Sequence, residues 1–228
     1  MADHATARVE HAGGLPPATA HQFDDAVQQH DASGLGMWLF LVTEILFFGG
    51  LFLLYTVYRS LYPEAFGQAS GHLDITLGAI NTAVLIGSSL TMALAVHTAQ
   101  VSRNGRLVAL FLCATILLGG VFLGIKGIEY AQKFHEHHIP GPSFNYDGTD
   151  AQHAELFFCL YFLMTGLHAL HMVIGIGLLA VLAVMALRGR FGPSYFTPVE
   201  LSGLYWHFVD IVWIFLYPLL YLIGRHVQ

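Results

Sequence analysis

Five long apolar stretches divide this chain, at about residues 34–58, 73–98, 107–130, 154–187 and 199–223. A helix rising 1.5 Å per residue crosses hydrocarbon in about 20 residues, and each stretch is at least that long. Inside a bilayer no water satisfies backbone amides and carbonyls, so each stretch must close its hydrogen bonds internally as a helix. The pattern predicts an all-α integral membrane protein, a bundle of five transmembrane helices. Residues 1–33 read as a polar N-terminal tail and residues 34–228 as the membrane domain.

Composition supports a multi-pass membrane location. Charged residues are 11% of the 228 and hydrophobic residues 55%, whereas soluble domains carry about 25% charge. The net charge of −6 lies mostly in loops and tail, so no nucleic-acid partner is expected. The tail contains His4, His11, His21 and His30 but lacks the basic start and apolar run of a signal peptide. Cys113 and Cys159 fall in apolar spans without metal-binding spacing and read as small buried hydrophobes.

Orientation follows from Lys and Arg in the loops. With the N-terminus inside, Arg8, Arg103, Arg106, Arg188 and Arg190 face the cytoplasm, and Arg59, Lys126, Lys133 and Arg225 lie outside. The expected topology is N-terminus in, C-terminus out. Gly120 and Gly124, with Gly119 and Gly127 beside them, form a small-residue pattern that lets helices approach closely, and Gly175 and Gly177 do the same in the fourth span.

Ionisable groups at membrane depth cost about 2.5–3.5 kcal/mol each on insertion scales, so they mark structural or functional points. Glu44 lies about 15 Å along the first span from Gly34, near mid-bilayer. His207 and Asp210 share a face of the fifth span, bracketed by Trp206 and Trp213. An indole N–H or an imidazole can satisfy that carboxylate. His168 and His171 repeat the same spacing in the fourth span, within possible reach of Asp210, Glu44 or a lipid headgroup. Asn81 and Glu129 add further polar points. His168-x-x-His171 and His135-x-His137-His138 lack the repeated histidine boxes of a membrane di-iron site, and no CxxCH haem-attachment motif occurs. No catalytic residue and no metal ligand are assigned.

The order of these residues resembles one family. Gly36-Met37-Trp38-Leu39-Phe40-Leu41-Val42-Thr43-Glu44-Ile45-Leu46-Phe47-Phe48 is similar to that family's first shared helix. Asn81-Thr82-Ala83-Val84-Leu85 and Gly127-Ile128-Glu129-Tyr130 follow in the matching order. Thr165-Gly166-Leu167-His168-Ala169-Leu170-His171 and Tyr205-Trp206-His207-Phe208-Val209-Asp210-Ile211-Val212-Trp213 are the longest and most specific matches. The family is subunit III of the haem-copper oxidases, cytochrome c oxidase type.

The resemblance implies a helical subunit beside subunit I of a proton-pumping terminal oxidase in a bacterial cytoplasmic (inner) membrane, with subunit II and a small subunit IV as further neighbours and a larger respiratory supercomplex as one setting. It implies no haem and no copper in this chain, these residing in partner subunits. It implies that the chain stabilises subunit I and supports its proton uptake. The positions of Glu44 and His171 are those associated with a phospholipid site. Many members have seven helices; this chain has five, with a polar tail in place of the missing pair. Five-helix forms also occur in quinol oxidases and in homologues associated with nitric oxide reduction. A different class of function is an independent proton or ion transporter using Glu44 and Asp210 as relays; internal repeats or broken helices would mark it, and neither is visible.

Overall fold

The five apolar stretches all form helices in the computed structural model, which describes Phe23, residues 26–141, Phe144, Tyr146, and residues 150–193 and 195–222. The spanning helices are α1 (Ala26–Leu61), α3 (Ile75–Val101), α4 (Gly105–His135), α5 (Ala151–Leu187) and α6 (Thr197–Tyr217). Among the described residues, five helices are long and apolar enough to cross a membrane. Among the described residues there is no strand, only an isolated bridge between Gly192 and Tyr195. Most of the polar tail, with His4, His11, His21 and Arg8, lies outside the described residues, as do Ile223 and Arg225.

The start of the first helix and the first loop differ from the sequence pattern. α1 starts at Ala26, ahead of the apolar run, because a helix continues past hydrocarbon when its polar residues find partners. His30 supplies one: its Nδ1 lies 3.1 Å from Thr197 Oγ1, and its ring packs on Phe196 at the start of α6. The first loop also holds a short helix, α2 (Pro63–Ser70), which begins with proline, whose missing amide hydrogen costs nothing in a first turn.

Helix starts are set by side chains that accept orphan amide hydrogens. Asp74 accepts from Thr76 and Leu77 at the start of α3 at 2.8 and 3.1 Å. Asn104 does so for Leu107 in α4, and Asp150 for His153 in α5, each at 3.3 Å. At the far end of α6, Pro218 lacks an amide hydrogen, and the chain widens into a π-turn over Pro218–Leu222.

α3, α4, α5 and α6 pack in a ring, α3 against α4 and α6, and α5 against α4 and α6. α1 lies outside this ring against α5 and α6, and α2 rests on α5. The core holds Trp206, Trp213, Phe122, Met92 and Met172, all fully buried. In hydrocarbon, close fit and hydrogen bonds hold helices together, not apolar surface leaving water. Trp206 shows this fit. It sits between Gly119 and Gly175, where an added Cβ would come within 2.8 Å and 3.1 Å of the indole.

The glycine pattern therefore works differently from the expectation. Gly120, Gly124, Gly127 and Gly177 have nothing within 4 Å of an added Cβ, so they do not bring helices of this chain together. Within that pattern Gly119 and Gly175 do, both against Trp206 of α6. Cys113 and Cys159 are exposed on the outside of the bundle, not buried as expected. A thiol is apolar enough to face lipid.

Candidate functional site

Glu44 meets His171, joining α1 to α5: the imidazole Nε2 is 3.2 Å from Glu44 Oε2. The other ring nitrogen, Nδ1, lies 2.8 Å from the Leu167 carbonyl. A carbonyl only accepts, so Nδ1 carries a hydrogen. Nε2 then either accepts from the carboxylic acid or, as imidazolium, donates to the carboxylate. In both forms the pair holds one proton between its two side chains and is neutral overall, which is the low-cost arrangement in lipid. Phe48 packs edge-on against the imidazole, and Tyr205 donates to the His171 carbonyl at 3.0 Å. The side chains of His171 and Glu44 are 14% and 19% exposed, so the pair borders the lipid-facing surface.

A second cluster lies where sequence reasoning saw only a helix end. Lys126 Nζ donates to Glu129 Oε2 at 3.0 Å, to Tyr161 at 3.0 Å and to Tyr221 at 2.8 Å. Tyr161 and Tyr221 both donate to Glu129 Oε1. The ammonium also lies 5.1 Å from the Trp213 ring centroid. Every oxygen and hydrogen-bonding proton of this ion pair has a partner, the condition under which buried charge is tolerated. Lys126 is thus an interior residue and not a loop charge, and Tyr161 and Tyr221 belong to the site. A Lys and a Glu one turn apart inside an apolar helix was the signal available for it.

His168 does not reach across to Asp210 or Glu44. It is buried between Phe122 and Trp213, with ring centroids 5.4 and 5.1 Å away, and neither nitrogen has a hydrogen-bond partner among the described residues. Asn81 donates to the Phe122 carbonyl at 3.5 Å, and its Oδ1 has no partner there. The two indoles also go elsewhere than expected. Trp206 donates to Ser88 and Trp213 to Thr82, each at 3.1 Å. Ser and Thr hydroxyls already bonded to their own helix carbonyls offer a free lone pair to an indole, and here they win over the carboxylate.

Asp210 consequently receives neither indole. It is buried, and neither carboxyl oxygen has a hydrogen bond among the described residues. His207, on the same face of α6, places Nδ1 2.7 Å from Ser89 Oγ on α3. Ser89, His207 and Asp210 line a cavity of about 290 Å³ between the two helices, rimmed by Ile86, Ile211 and Ile214.

Beyond the membrane-spanning part of α4, Lys133 bonds the His72 carbonyl at 2.9 Å and pairs with Glu136, which also meets His138 at 3.0 Å. Partial burial pushes the Glu136 carboxyl up, but Lys133 and His138 outweigh it and hold the group below its ordinary range. At the foot of α5 the His153 imidazole, 2.6 Å away, holds the exposed Asp150 carboxyl below its usual range, and Tyr62 stacks on that ring at 3.6 Å. Among the described residues no three His, Cys, Asp or Glu side chains converge as a metal-holding group.

The family model for cytochrome c oxidase subunit III matches residues 19–225. The chain is 31% identical to cytochrome c oxidase subunit 3 of Thermostichus vulcanus, over 91% of this chain and 95% of that protein. It is 35% identical to quinol oxidase subunit 3 of Bacillus spizizenii, over 83% and 86%. Against cytochrome bo(3) ubiquinol oxidase subunit 3 of Pseudomonas aeruginosa the identity is 32%, over 91% and 94%. A match over residues 19–225, which takes in the five spanning helices, makes this chain a member of the cytochrome c oxidase subunit III family.

Proposed function

We propose that this chain is the accessory, non-redox subunit III of a proton-pumping haem-copper terminal oxidase of the cytochrome c oxidase type. In this role it sits in a bacterial cytoplasmic membrane against the haem- and copper-bearing subunit I, near subunit II and a small subunit IV. It stabilises subunit I and supports its proton uptake. The observation that carries the proposal is the family match over residues 19–225. The polar contacts support it: Glu44–His171 ties α1 to α5, and Tyr161 and Tyr221 tie α5 and the π-turn to Lys126–Glu129 on α4. The N-in orientation gains support too, because the buried Lys126 no longer counts among outside loop charges. A phospholipid lying along α1 would meet the bordering Glu44–His171 pair.

A quinol oxidase is the second possibility, favoured by the Bacillus spizizenii and Pseudomonas aeruginosa relatives at similar identity. An independent transporter relaying through Glu44 is less well supported, since His171 occupies that carboxyl.

Purification from native membranes in mild detergent tests the proposal. The chain should bring down larger subunits with a haem spectrum, and the complex should consume oxygen with reduced cytochrome c. Consumption with quinol alone selects the second possibility. A colourless complex of this chain only, carrying ion flux when reconstituted, overturns both.

A further inference from the structure

We propose that the α6 face carrying His207 and Asp210 seats a transmembrane helix of a neighbouring oxidase subunit, one presenting a Ser, Thr, Asn or Gln side chain at mid-membrane. The proposal rests on the oxidase assignment and specifies where the chain docks. α6 and its π-turn span Thr197–Leu222, and His207 lies about 15 Å from the start at 1.5 Å per residue, deep in hydrocarbon.

Three polar side chains meet at that depth. The only hydrogen bond of His207 among the described residues joins Nδ1 to Ser89. Both oxygens of Asp210 have no partner there. The same side chains line the 290 Å³ cavity, and His207 also lines an adjoining apolar groove of about 440 Å³ between α1 and α6. Around them the surface is apolar and open: Ile86, Ile211 and Ile214 are 55%, 51% and 45% exposed.

Lipid tails can fill such a hollow but cannot hydrogen-bond its floor. A side chain from a second helix can, and polar contacts across helices are a principal adhesive in membranes. An amide or hydroxyl both donates and accepts, so it suits Asp210 as acid or carboxylate and the imidazole in either tautomer. A polar centre inside an apolar rim is also the layout of an energetically concentrated interface. Leu117 on α4 and Leu170 on α5 are exposed outer positions that line neither of these two hollows, and serve as the comparison.

The test places the photo-crosslinking residue benzoylphenylalanine at Ile211 or Ile214, and at Leu117 or Leu170 for comparison, in the intact oxidase in native membranes. Positions 211 and 214 should crosslink to another oxidase subunit at least several-fold more than 117 and 170. Lipid adducts only, or equal protein crosslinking from all four, with the oxidase intact, overturn the docking seat and leave the oxidase assignment standing. Loss of this chain from any haem-containing complex overturns both. A second measurement keeps the test independent of folding. Asp210→Leu should reduce retention of the chain on the oxidase about tenfold during detergent washing, while Asp210→Asn, which keeps hydrogen-bonding capacity, stays near wild type. Unchanged retention of Asp210→Leu also overturns the seat.

Discussion

Lys126 and Glu129 form an ion pair 3.0 Å long, one turn apart on α4, where their residues are only 5% and 1% exposed. The pair survives there because Tyr161 from α5 and Tyr221 from the π-turn complete its hydrogen bonds. It therefore fastens three segments of the bundle with a neutral unit. Removing either charge alone strands the other.

Lys126→Met should destabilise the bundle by about 3–5 kcal/mol, the usual cost of leaving one buried charge unpaired. Lys126→Met combined with Glu129→Gln should recover much of that loss. Thermal unfolding of the purified complex reads both, and a single variant as stable as wild type contradicts the account.

Glu44→Gln should be mild, because the amide can still donate to Nε2 of His171. Glu44→Leu should lose about 1 kcal/mol of attachment between α1 and α5. α1 has few other anchors, since among its described residues only Leu41, Phe48 and Tyr55 are buried. Limited proteolysis near the α1–α2 junction should speed up for Leu and not for Gln.

Gly119→Ala should cost about 1–3 kcal/mol by pushing Trp206 out of its slot, because the new Cβ would sit 2.8 Å from the indole. Gly120→Ala, one residue on, has open space around it and should be neutral or slightly stabilising in the isolated chain. Equal melting temperatures for the two variants would show that Trp206 yields freely.

Acid should loosen the junction of α4 with the following loop. The Glu136 carboxyl sits below its ordinary value of 4.5 because Lys133 and His138 overcome the opposing effect of burial. A depressed carboxylate contributes stability that is fully present above its unfolded value and disappears as pH falls through the folded one. Cleavage by an acid-active protease near Glu136 should rise as pH drops below about 4.5, and Glu136→Gln should abolish that pH dependence.

The bundle was legible in the chain because lipid permits so few backbone solutions: a run of apolar residues long enough to cross must be a helix. Helix number followed from that constraint, and so did the placing of Glu44, Glu129, His171 and Asp210 within the spanning helices. Partner choice did not. An i, i+3 spacing says which side chains share a face, yet it cannot say which helix lies opposite. Asp210 is flanked by two indoles in the sequence, but Ser88 and Thr82 on α3 claim both indoles across the bundle. Lys126 reads as a helix-end charge until Tyr221, brought back by the π-turn after Pro218, closes over it. Gly120 and Gly124 match a packing motif, while the rotation of α4 turns Gly119 toward Trp206 instead. Hydrophobic length is a local property written along one strand of sequence; hydrogen-bond pairing and groove-filling depend on helix rotation and neighbour, which only packing in three dimensions decides.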